Sequence, residues 1–411
     1  MKIVILIVAL WVWTTQAAEP VHYKNGYWYQ NGAFRAMDRY VEDGRFVELG
    51  DGAAAEVVDL GGGYVIPPYA EAHNHNLQSP WLAENYAPAY HQKGIFYAAM
   101  LCGNHRTAAK TRQTLKEGGL VDVVLAGACI SSSDGHPLRM AINSRRTEDF
   151  EPNPEDLYDR SYIVIDSPEE VAQKWPLIEA GSDDLVKIIL VHHERAERRN
   201  NETFFGVNGL AAETVKALVP FLQARGRRVA AHTESAADFA LAVAAGVDWI
   251  AHLPGYNWWE GHTAADYRLS DQSVAQAAEK NILVIPTAGV VALMGDKSVD
   301  RLQAVAALQR DNLQRLREAG VTLLTGSDRF DADVLSEVDY LAGLDMFTRF
   351  ELLEMLVHVT PRALFPERRV GRLEEGYEAS FLVLGGNPIV DFAHLRNIRL
   401  RVKRGVRTVT P

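Results

Sequence analysis

Between about residues 65 and 326 the apolar positions gather into short blocks separated by longer amphipathic stretches. The blocks end near His73, Leu101, Ala126, Val191, His232, His252, Pro286 and Gly326. Strand-like blocks alternating with helix-like stretches build a parallel α/β sheet, and eight such units predict a (β/α)8 TIM barrel. Toward both ends the pattern changes to short period-two runs. Asn25-Gly26 and Asp43-Gly44 are turn signals within residues 21–60, and Phe381-Leu382-Val383-Leu384 and Ile398-Arg399-Leu400-Arg401-Val402 carry strand patterns near the C-terminus. Neither end can hold a good core alone, so together they predict a small β-sandwich domain. The expected division is 65–365 for the barrel and 19–64 with 366–411 for the sandwich. The largest insertion, 131–184, carries a charged loop and a predicted helix at 168–180.

Residues 1–18 read differently from the rest. Lys2, an apolar run over 3–13 and the small-residue exit Thr14-Thr15-Gln16-Ala17-Ala18 form a secretory signal peptide. The run is too short to span a bilayer comfortably. The expectation is an exported protein, periplasmic or secreted, with no stable membrane insertion after cleavage. A formal charge of -11 without a basic cluster excludes a nucleic-acid partner, leaving a small-molecule substrate; a homo-oligomer is compatible with the sequence. The two cysteines, Cys102 and Cys129, could pair in an exported compartment or stay as buried thiols.

The chemistry lies where the apolar blocks end, which in a (β/α)8 barrel is the catalytic face. Residues i and i+2 of a strand face the same side, so His73 and His75 can aim at one point. His232 and His252 end the fifth and sixth blocks, Asp328 follows the eighth, and Lys187 sits inside the fourth. Singly, each has an ordinary role: a hydrogen-bonded histidine, a helix-capping aspartate, a lysine that snorkels to solvent. Four histidines and an acid at corresponding strand ends point instead to a metal site.

On these residues the chain resembles the amidohydrolase superfamily of metal-dependent hydrolases, over nearly everything after residue 18. The resemblance runs through Tyr40-Val41-Glu42-Asp43-Gly44-Arg45, Val65-Ile66-Pro67 to His73-Asn74-His75, Gly246 to His252, Ile285-Pro286-Thr287, Ala319 to Asp328 and Thr360-Pro361-Arg362-Ala363-Leu364. The stretch from Gly127 to Pro137 is similar to the imidazolonepropionase-like and Xaa-Pro-dipeptidase-like branch. Glu71, Pro68 and Ser380 depart from the usual residues, and none is an inferred ligand.

The resemblance implies two divalent metal ions. Zinc is the default, with manganese, cobalt or iron as substitutes. His73, His75, Lys187 and Asp328 would hold one ion and Lys187, His232 and His252 the other, with Lys187 carboxylated to bridge them. Asp328 would act as general base and acid in cleaving a C–N bond of a dipeptide or N-acyl amino acid. His136, Arg195, Tyr256 and Arg329 are candidate substrate contacts, each equally able to be an ordinary loop residue. The alternatives are a mononuclear hydrolase of cyclic amides, with Lys187 structural, and a non-catalytic exported binding protein. A barrel glycosidase would need two facing carboxylates, and only Asp328 is well placed.

Overall fold

The computed structural model describes residues 20–48, 54, 56–147, 150–181, 185–259, 261–293 and 297–408. The signal-peptide expectation, over 1–18, lies outside the described residues.

The N-terminal strands are β1 (Val21–Gln30), β2 (Ala33–Glu42), β3 (Arg45–Val47), β4 (Glu56–Asp59) and β5 (Tyr64–Ile66). There follow β6 (Tyr69–Asn74), β7 (Ile95–Met100), β8 (Asp122–Leu125), β9 (Ile130–Ser131), β10 (Ile163–Val164), β11 (Leu185–Ile189), β12 (Arg228–His232), β13 (Trp249–Ala251) and β14 (Leu283–Ile285). The chain ends with β15 (Phe381–Leu384), β16 (Ile398–Lys403) and β17 (Val406–Thr408).

Both ends meet in one sheet, ordered β17-β16-β15-β5-β1-β2-β3, with β4 also on β1. The sequence reading expects a sandwich here; the hydrogen bonding runs continuously through these strands. Trp28 and Phe381, one from each end, pack with ring centroids 5.2 Å apart, so the apolar core of this sheet needs both termini.

The expected single strand through 65–73 is two strands. Pro67 and Pro68 lack the N–H groups a ladder requires, and the chain passes there from the terminal sheet into the central one. β5 pairs with β1 and β15, whereas β6 pairs in parallel with β7.

The central strands are parallel. β6-β7-β8 form one sheet and β10-β9-β11-β12-β13-β14 another. β8 and β9 are successive parts of the third unit, separated by a turn at Gly127 with φ +71°. A Cβ there would lie 2.8 Å from the Gly181 carbonyl, so only glycine lets the insertion lie this close.

The eighth unit forms a single bridge, Leu323 to Val284, rather than a regular strand. Its backbone still bonds both sheets. Leu324 N donates to Val284 O at 2.8 Å on one side, and Ala72 N donates to Thr325 O at 2.8 Å on the other. Gly326 permits the close approach, since a Cβ would meet His73 N at 2.8 Å. In place of the predicted helix at 168–180 there is a short turn at Pro168–Glu170 and a helix at Trp175–Gly181. Among the described residues no helix is long and apolar enough to cross a membrane.

Candidate metal centre

The register of the strands sets the inward face. Lys187 is opposite Ala230 and Ile189 opposite His232, so Lys187 and His232 lie on one side of the β11–β12 pair. β6 brings His73 to the same region, and the residues just after β13 and the eighth unit bring His252 and Asp328. These last two have left-handed backbone, φ 75° and 49°, as does Thr287 at 44°. Strand geometry therefore stops just short of His252, and the chain turns there to aim the side chain.

All six inferred ligands line one cavity of about 750 Å³. The rings of His73 and His252 are 4.7 Å apart and those of His232 and His252 4.4 Å apart. Asp328 sits among them. Its Oδ1 is 3.0 Å from His75 Nε2 and 3.4 Å from His73 Nε2, and its Oδ2 is 3.7 Å from His252 Nε2.

Hydrogen bonds fix which ring nitrogen carries the proton. The Nδ1 of His75 is 2.8 Å from Gln78 Oε1, an acceptor, so Nδ1 is protonated. Thr287 Oγ1 donates to Pro286 O at 2.8 Å and so accepts from His252 Nδ1 at 2.7 Å. The His252 ring, kept neutral by its burial, therefore turns a bare Nε2 lone pair toward the Asp328 carboxylate, and His75 directs its Nε2 at the same group. Lone pairs facing an anion repel unless a cation lies among them. Burial and nearby cationic groups hold the His73 and His252 rings well below the usual imidazole range, which keeps them in the neutral, ligating form. The donor set fits a divalent metal ion.

Lys187 is almost fully buried. Burial lowers its ammonium to about 7, against the opposing pull of Asp328. A neutral amine is thus accessible near neutral pH, as carbamate formation requires.

The four candidate substrate contacts divide. His136 and Tyr256 line the cavity. The His136 ring stacks on His232 at 5.3 Å, and burial lowers it to about 4. Tyr256 Oη lies 3.4 Å from His232 Nε2. Arg195 and Arg329 are outside the lining and engage neighbouring acids, Glu197 at 3.3 Å and Asp331 at 2.6 Å. Cys102 and Cys129, also in the lining, are joined as a disulfide with Cα atoms 5.1 Å apart.

Several supporting residues escaped the sequence reading. Glu71 bonds Ser327, one residue before Asp328, through both carboxylate oxygens. Glu234 lies 3.4 Å from His232 Nε2 and accepts from Trp259 Nε1 at 2.8 Å. The i+2 spacing from His232 was the available signal for Glu234; Glu71 had none beyond its departure from the expected aspartate. A second grouping of His193, Glu194 and Asp238 lies close by. Burial alone would raise the Asp238 carboxyl, yet the His193 ring and backbone N–H groups bring it down to about 2. Asp238 also completes the capping box of the helix Ala236–Ala245, so this grouping fastens the loop after β11 to that after β12.

No family model matches the chain. It is similar to ochratoxinase of Aspergillus niger, 25% identical over 190 residues, spanning 44% of this chain and 37% of that enzyme. Solved structures resemble it over far more of its length. A Xaa-Pro dipeptidase with bound methionine matches with a TM-score of 0.73 at 17% identity, over 95% of this chain and 100% of the other. The A. niger ochratoxinase structure matches with a TM-score of 0.73 at 18% identity, over 96% of each chain. An amidohydrolase matches with a TM-score of 0.72 at 20% identity, over 95% of this chain and 99% of the other. These likenesses establish a mixed α/β fold shared with amidohydrolases and prolidases.

Proposed function

We propose that this chain, having the fold of the amidohydrolases, is an exported metal-dependent hydrolase of C–N amide bonds, acting on dipeptides or N-acyl amino acids. The eight parallel units form one (β/α)8 barrel, with a small β-sandwich made by the two termini. The observation that carries the reading is the set His73, His75, Lys187, His232, His252 and Asp328 lining one cavity. His75 and His252 both direct Nε2 at the shared Asp328 carboxylate.

His73, His75 and Asp328 would hold one ion and His232 and His252 the second, with a carboxylated Lys187 between them. Zinc is the first choice for an imidazole- and oxygen-rich set. Bound metal supplies Lewis acidity and a water whose pKa is lowered toward neutrality. Asp328 takes the proton of the attacking water and delivers it to the leaving nitrogen. Gln78 and Thr287 keep His75 and His252 in one tautomer. His136 and Tyr256 orient the substrate amide from the side of His232.

Elemental analysis of purified protein, paired with a screen of dipeptides and N-acyl amino acids, tests the reading. About two ions per chain and amide cleavage are expected. Active protein that reproducibly holds one ion would establish the mononuclear alternative. That alternative draws on the compact grouping of His73, His252 and Asp328, whose ligand atoms lie within 4.8 Å of one another.

A further inference from the structure

Between the two histidines of the first unit stands a side chain that the proposed chemistry does not use. Asn74 is the last residue of β6 and is fully buried. Both ends of its carboxamide are engaged. Oδ1 accepts from the backbone N–H of His75 at 2.7 Å and of Asn76 at 3.0 Å. Nδ2 donates to Ser327 Oγ and to Arg329 O, each at 3.0 Å. These partners fix which end is which: two backbone N–H groups need an oxygen, and a backbone carbonyl needs a donor.

The two residues that Nδ2 reaches stand on either side of Asp328. Asp328 has left-handed backbone, φ 49°, which a residue other than glycine keeps only where its surroundings over-determine it. The eighth unit forms an isolated bridge instead of a ladder, so side chains carry ties that backbone pairing carries elsewhere. Three of its successive residues are fixed by β6. Ser327 is held by Glu71 and Asn74, Asp328 N by His73 O, and Arg329 O by Asn74. Glu71 grips only the residue before Asp328; the residue after it is gripped by Asn74. The bonds also have a direction. Nδ2 can only donate, so Ser327 Oγ accepts from Asn74 and gives its own proton to Glu71 Oε2.

Resting on the metal-hydrolase reading above, we infer that Asn74 is a positioning residue: by gripping Ser327 and Arg329 it holds Asp328 in its left-handed turn and so aims the carboxylate at the ligand cluster. A base displaced by about 1 Å can lose ~100-fold in rate, so a clamp on both neighbours of Asp328 bears directly on turnover.

The test uses purified protein, zinc as the probe, and the variants Asn74→Ala and Asn74→Asp. Hydrogen exchange on metal-free protein depends on neither metal nor activity. The N–H groups of residues 327–329 should exchange about tenfold faster in both variants, the equivalent of one lost hydrogen bond, while β11 and β12 exchange as before. Unchanged exchange at 327–329 would overturn the inference. Zinc affinity, measured against a chromophoric chelator, should fall about 10–100-fold, as for other groups that orient a metal ligand. Asn74→Asp keeps the shape of the side chain and the oxygen facing His75 and Asn76. Its added negative charge alone would tighten a cation, so weaker binding isolates the lost clamp, and equal or tighter binding counts against it. In an Asp328→Ala background Asn74→Ala should weaken zinc by less than about threefold more; full multiplication of the two effects would show that Asn74 acts elsewhere. If Asn74→Ala does not fold, Asn74→Asp carries both measurements. Where amides are cut, kcat should fall with KM nearly unchanged. Protein that meets these expectations yet cuts no amide would sink only the hydrolase reading. Wild type that binds no zinc would sink the metal reading, and exchange at 327–329 would then decide for or against the clamp.

Discussion

Glu71 and Ser327 are joined twice: Glu71 Oε1 accepts from the Ser327 backbone N–H at 2.8 Å, and Oε2 accepts from its hydroxyl at 2.7 Å. Ser327 precedes Asp328, and Asp328 N donates to His73 O at 2.7 Å. The carboxyl group of one fully buried residue thereby ties the histidines of β6 to the aspartate of the eighth unit. Glu71→Ala would strand the Ser327 N–H in a dry interior, at a cost of about 1–3 kcal/mol. Thermal denaturation should show a lower Tm, and elemental analysis a loss of metal. Unchanged metal content in a folded Glu71→Ala protein would show that Asp328 is positioned without it.

Lys187 discriminates between one metal and two. Four histidines and one aspartate are too few to satisfy two zinc ions at about four ligands each, and a carbamate on Lys187 would add the missing oxygen donors. Lys187→Ala should lose most activity and the second ion, and acetate or propionate should restore part of both. Lys187→Arg should resist rescue, because a fixed cation fills the bridge. Near-normal activity with two ions in Lys187→Ala would make the lysine structural.

Stability should carry a pH signature from Glu337, away from the inferred ligands. Its oxygens accept from Ala288 N and Gly289 N, each at 2.7 Å, and burial raises the carboxyl from 4.5 to about 7. A carboxyl raised in the folded state favours folding below its unfolded pKa. That contribution is lost as pH climbs through the folded value. The loss between pH 4.5 and 7 is about 3 kcal/mol, at ~1.4 kcal/mol per unit. Glu337→Gln should begin less stable at pH 5 by about 1 kcal/mol, for one lost hydrogen bond, and decline less steeply. Parallel urea-melt profiles for the two proteins from pH 5 to 8 would refute the assignment.

The mature chain is expected to begin after Ala17 or Ala18, from the Lys2 start and the short apolar run that follows. Mass spectrometry of exported protein should find residues 1–18 removed. An intact Met1 in the exported fraction would contradict this.

What could be read from the chain depended on range. The alternation of apolar blocks and the histidines at their ends are local signals, and they placed His73, His232 and Lys187 on strands that the fold contains. The eighth unit was legible as a block but not in its irregular form, because its bonds run to β14 and β6, far away in sequence. His252, Thr287 and Asp328 take left-handed backbone that no periodicity encodes. Arg195 and Arg329 follow ligand-bearing segments as expected, yet each is drawn to an acid two residues away. Glu71 was visible only as an unusual residue, since its partner lies 256 positions later.

The disulfide between Cys102 and Cys129 joins the ends of the second and third units where they form the cavity wall. Its consequence is practical. A recombinant host that makes this protein in a reducing cytosol delivers the polypeptide with that wall unstitched, whereas an oxidising envelope delivers it stitched. Two preparations with one sequence and one mass to within two hydrogens would then differ in the bracing of this wall. The choice of expression compartment then sets how firmly the cavity wall is held, and not only the yield.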